Sequence, residues 1–117
     1  MVMISTGGFG LPIAKGSVFN TAITADTDIF SDDFTPAVTP TTFRIYATFD
    51  VAGVLSIRRT KSGVTVTEQL NAGVTLAANA AYIFDIFVEY DESINIRYSV
   101  DANCIVLKVL EVQGAIS

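Results

Sequence analysis

The sequence predicts an all-β protein: an antiparallel β-sandwich, jelly-roll-like, of about eight strands, preceded by an extended N-terminal arm. Three observations carry this expectation. Apolar residues recur with a period of two, as on half-buried strands. Turn signals fall every eight to twelve residues, and no stretch shows the 3.6-residue period of an amphipathic helix. The clearest stretch is Ala81 to Gln113. There Tyr82, Phe84, Ile86, Val88 and Tyr90 share one face, and Ile94, Ile96, Tyr98 and Val100 share the face of the next run. Short polar turns at Asp91-Glu92 and Asp101-Ala102-Asn103 join three successive strands, which should form the centre of the core.

Residues 1–16 lack a steady period and carry Gly7, Gly8, Gly10, Pro12 and Gly16 among Val2, Met3, Ile4, Phe9, Leu11 and Ile13. A flexible tail would be polar; this one is apolar and reads as an arm that orders against its own domain or a neighbouring subunit. Fully extended, it reaches up to roughly 55 Å. The domain proper then spans 17–117, beginning with a strand at Ser17 to Thr24. Residues 25–40 hold four aspartates, Pro36 and Pro40, which favour turns over ladder pairing. A long loop is expected, with a short extended piece at Phe34 to Val38.

Next, Thr41 to Phe49 sets Phe43, Ile45, Ala47 and Phe49 against Arg44, Tyr46 and Thr48. A turn at Asp50 to Gly53 leads into Val54 to Thr60, with Leu55 and Ile57 inward. Lys61-Ser62-Gly63 turns again, its glycine suited to positive φ. Val64 to Leu70 and a short Val74 to Leu76 complete a run of hairpins. In the last strand Ile105, Leu107 and Val109 fall on one phase, and Val106, Leu110 and Val112 on the other. Such a strand is either covered on both faces or contains a bulge; in an oligomer the second face would be an interface. Asp85 and Glu89 alternate with Ile83 and Phe87, and a cross-strand pairing with Arg97 is expected, worth under ~1 kcal/mol.

Half of the 117 residues are hydrophobic and 16% are charged, with a mean hydropathy of +0.50. That is apolar for a small domain. No window of 18 apolar residues is free of charges or strand-like alternation, so the sequence predicts no membrane insertion and points to surface covered by partners. The net charge is −5, and the seven basic residues are scattered; nucleic-acid binding is disfavoured. The N-terminus lacks the pattern of a secretory signal. Cys104 is expected to be a small buried hydrophobe.

Histidine is absent, which removes the commonest general base, the Ser-His-Asp arrangement and most zinc sites. Asp85 and Glu89 on one strand would sit roughly 13 Å apart, beyond the ~6.5–9.5 Å of an inverting glycosidase pair. Gly7-Gly8-Phe9-Gly10 lacks the GK[ST] of a phosphate loop. Asp26, Asp28, Asp32 and Asp33 are dense enough for calcium, but lack the EF-hand glycine and closing glutamate; solvated or N–H-capping aspartates are the alternative. Tyr46, Tyr82, Tyr90 and Tyr98 could stack on sugar, although three of the four are in phase with core residues. No enzyme, cofactor or resident metal is expected.

The segment GVLSIRRTKSGVTVTEQLNAG, followed by AAYIFDIFVEYDESINIRYSV and IVLKVLEVQG, resembles small β-sandwich structural proteins of tailed bacteriophages and related archaeal viruses over residues 41–114. The resemblance implies a virion-surface or decoration protein, made in the host cytoplasm, with an arm that anchors or links subunits. Its partners would be copies of itself and a capsid or tail protein. Phe9, Leu11, Ile13 and Phe19 are the candidate anchors at the subunit interface. The alternative is a carbohydrate- or ligand-binding sandwich, with calcium in the Asp26–Asp33 loop.

Overall fold

The computed structural model describes residues 13–36 and 41–113. Seven strands form two antiparallel sheets, and the expected all-β sandwich is what the chain adopts. In chain order they are β1 (Ile13–Ile23), β2 (Thr41–Phe49), β3 (Leu55–Lys61), β4 (Val64–Gln69), β5 (Tyr82–Val88), β6 (Glu92–Tyr98) and β7 (Ala102–Gln113). One sheet has the order β1-β7-β2-β5 and the other β4-β3-β6.

An eighth, irregular strand completes the second sheet. The amides of Asp26, Ile29 and Phe34 donate to the carbonyls of Tyr98, Ile96 and Ile94, and the Ile94 amide donates back to Phe34. The segment therefore runs antiparallel along β6, with Phe34 as a true bridge. Counting it, the chain changes sheet at every step except from β3 to β4, giving the eight strands in two sheets of a jelly roll. The extended piece expected from Phe34 is present as this bridge; residues 37–40 lie outside the described residues.

Alternation explains the core. Phe43, Ile45, Ala47 and Phe49 of β2 are buried against Leu55 and Ile57 of β3 and Ile94, Ile96 and Tyr98 of β6. At one end the Tyr98 ring stacks on Phe49, with centroids 3.8 Å apart and planes 10° from parallel. Its hydroxyl donates to the Val51 carbonyl at 2.7 Å. Gly53 lies under this ring, where a Cβ would come within 2.8 Å of it.

Several expectations need correction. The three strands of residues 81–113 are not neighbours in one sheet: β5 and β7 belong to the four-stranded sheet and β6 to the other. The turns after β5 and β6 carry the chain across the sandwich, a distinction that turn residues do not encode. Among the described residues only β3 and β4 form a hairpin within a sheet, closed by Ser62 and Gly63 at φ 54° and 76°. Residues 74–76 contribute just the bridge from Leu76 to Gly53, ahead of β3.

The first strand starts at Ile13, four residues earlier than expected. Gly16 is a strand residue: a Cβ there would meet the Phe34 and Phe30 rings at 3.0–3.2 Å. The doubly apolar last strand contains a bulge. Its register with β2 slips between Thr48 and Phe49, which face Val106 and Cys104.

Candidate interaction surface

The two outer faces of the sandwich are chemically opposite. On the three-stranded sheet, cross-strand rows read Gln69–Ser56–Arg97, Thr67–Arg58–Asn95 and Thr65–Thr60–Ser93. Every side chain is polar. The 25–36 segment runs along the β6 edge of this sheet, and its aspartates reach the arginines of the face. Arg58 grips Asp28 with two bonds of 3.0 Å and also donates to Asp33. Arg97 adds a 2.7 Å bond to Asp28. Buried Asn95 donates to the Phe30 carbonyl and to Asp33, and accepts from the Phe30 amide.

Desolvation pushes the Asp28 carboxyl up, but the Arg58 and Arg97 guanidiniums outweigh it and hold it below the usual carboxylate range. The aspartates at 28 and 33 thus serve as counter-ions to arginine. Among the described residues, no group of three or more carboxylate, thiol or imidazole side chains could hold a metal ion. The expected Arg97 partner on β5 is also corrected. Asp85 pairs with Arg44, Glu89 with Lys61, and Arg97 with Asp28, because β5 and β6 lie in different sheets.

On the four-stranded sheet the outward rows read Phe19–Val106–Thr48, Ser17–Lys108–Tyr46–Ile83, Ala14–Leu110–Arg44–Asp85 and Val112–Thr42–Phe87. Phe19, Ile83 and Phe87 are 54–61% exposed. Tyr46, Val106, Leu110 and Val112 are half-buried between them. The three charges on this face are already matched. Arg44 and Asp85 share two hydrogen bonds of 2.8 and 2.9 Å, and the Lys108 ammonium sits 5.4 Å from the Tyr46 ring centroid. A pre-paired charge costs less to desolvate than a lone one. Four strands about 4.8 Å apart and roughly 30 Å long present roughly 550 Å² of sheet plane.

Of the sequence-predicted anchors, Phe19 lies on this apolar flank. Ile13 is exposed but faces Glu111 on the inner side of the sheet, because the bulge between Ala14 and Gly16 changes the phase of β1. Phe9 and Leu11 lie outside the described residues. Ile83 and Phe87, which sequence reasoning set aside as alternating with charges, are the most exposed apolar side chains of the flank; their signal was the apolar outer phase of β5.

The tyrosines do not form one platform. Tyr98 is buried, Tyr82 stacks on Phe84, Tyr46 lies on the apolar flank, and Tyr90 borders a separate cleft of about 410 Å³ with Lys61, Thr60 and Ser93. Cys104 is fully buried, and burial pushes its thiol up to about 11. It should therefore resist thiol reagents such as Ellman's reagent at pH 8 until the protein is unfolded. Rapid labelling of the native protein would contradict this. No helix among the described residues is long and apolar enough to cross a membrane. Comparison with protein-family models, curated proteins and solved structures finds no match to this chain.

Proposed function

We propose that this protein is a non-enzymatic structural subunit that assembles by burying the outer face of its β1-β7-β2-β5 sheet, in the setting of a virus particle. The observation that carries the reading is the contrast between the two flanks. One is polar at every position, its Arg58 and Arg97 neutralised by Asp28 and Asp33; the other exposes Phe19, Ile83 and Phe87, with Arg44 paired to Asp85 and Lys108 beside the Tyr46 ring. Burying roughly 550 Å² of flat sheet per copy approaches the ~800 Å² per partner of a stable interface. The virion setting rests on the resemblance of residues 41–114 and on the jelly-roll architecture, which capsid domains and lectins both use.

Light scattering coupled to size-exclusion chromatography tests the assembly reading. The natural chain should elute as a multiple of 12.5 kDa. Phe87→Glu, which places an unpaired carboxylate on the flank, should shift it toward the monomer with an unchanged circular dichroism spectrum. A natural chain that stays monomeric at all concentrations would refute the reading. Electron microscopy of the purified protein would show whether its assemblies are closed shells, rings or tubes.

A further inference from the structure

We propose that β4 is a dimerisation edge: it pairs antiparallel with β4 of a second copy about a twofold axis at Val66, joining the two β4-β3-β6 sheets into one continuous sheet. This rests on the assembly reading for the idea that copies associate, but it uses a different surface. All six residues of β4 are exposed, and among the described residues no strand lies beyond it.

The backbone directions follow from the ladder. The Leu70 amide donates to the Leu55 carbonyl, and the register from there to Lys61↔Val64 has no shift. Bonded residues alternate in an antiparallel pair. Glu68, Val66 and Val64 therefore direct their backbone groups to β3, and Thr65, Thr67 and Gln69 direct theirs outward.

The other edges are guarded as natural edges are. The β6 edge is covered by the 26–34 segment. β1 is bulged next to Lys15, whose ammonium turns inward to Glu111. On β5, the Phe87 carbonyl accepts from Arg59. β4 has no proline, lysine or bulge. Moreover, Val64 and Val66 stand on the inner face, opposite Lys61 and Arg59, yet are 62% and 57% exposed.

A second copy of the chain suits this edge because β4 complements itself. With the axis at Val66, Thr65 forms a hydrogen-bonded pair with the partner's Thr67. Val66 meets the partner's Val66 across a non-bonded pair, Cα atoms about 4.5 Å apart. Glu68, held by Arg59 at 3.0 Å, lies opposite the partner's Val64, so no like charges oppose each other.

Cysteine cross-linking of the full chain reads this register. Val66→Cys should give a single disulfide-linked dimer under mild oxidation, since its Cα spacing lies at the short end of the disulfide range. Val64→Cys should not, because its two thiols would be roughly 13 Å apart along the strands; Cys104 is buried and does not compete. Thr67→Pro removes an outward N–H without touching the β3 ladder, and should at least halve the assembled mass while the far-ultraviolet spectrum is unchanged. Failure of Val66→Cys to cross-link, or equal cross-linking of Val64→Cys, would overturn the proposal. Phe87→Glu separates the two readings: if it gives monomers while Val66→Cys stays uncross-linked, the edge proposal fails and the flank reading stands.

Discussion

Tyr98→Ala is expected to lower the unfolding free energy by roughly 3–5 kcal/mol, the range for removing a large aromatic ring from a packed core. Tyr98 is 1% exposed, and its ring fills the space between the Phe49 ring and Gly53. Neither neighbour can close the gap, because both are fixed by the sheets on either side. At about 4 °C per kcal/mol for a chain of this size, the melting temperature should fall by more than ~12 °C. Tyr98→Phe isolates the hydroxyl. It loses only the bond to the Val51 carbonyl, on an exposed loop where water can replace it, and should cost about 1 kcal/mol or less. A loss below about 1 kcal/mol for Tyr98→Ala in urea denaturation would show that this end of the core is not packed as described.

Arg58→Ala should cost about 2–3 kcal/mol, because one guanidinium holds two carboxylates over the three-stranded sheet. The figure lies between those for surface and buried pairs: the Arg58 side chain is 12% exposed, while Asp28 and Asp33 are about a third exposed. Loss should be local at first. Hydrogen exchange at the amides of Asp26, Ile29 and Phe34, which bond to β6, should accelerate before that of the β2 amides. The same contacts set a pH dependence. Asp28 is held below its ordinary value of 3.8 in the folded protein, so its contribution is complete above that value. It is lost as pH falls through the lower folded value. Arg58→Ala should flatten this acid limb; an unchanged limb would place the acid sensitivity in other carboxylates.

How far the sequence foretold this depends on what each residue pattern encodes. In β2, strict alternation from Phe43 to Phe49 reports one wet and one dry face, and the structure follows it residue by residue. Periodicity carries no information about which sheet a strand joins, so β5 and β6 read as a hairpin although they lie on opposite layers. Gly16 read as a breaker because glycine is permissive; here its missing side chain admits two phenyl rings. The aspartates of the 25–36 segment read as solvated or calcium-binding because their partners, Arg58 and Arg97, are distant in sequence. The apolar flank was half legible, in the second phase of the last strand. Its extent appears only once β1, β7, β2 and β5 are laid side by side.

The pairing of β1 with β7 has a consequence for synthesis. The strand that sits between β1 and β2 leaves the ribosome some eighty residues after β1, so a nascent chain holds β1 in waiting, while β2 can already join β5. Topologies dominated by such distant pairings acquire structure slowly. During that interval the apolar side chains of β1 are open to chaperones and to neighbouring nascent chains.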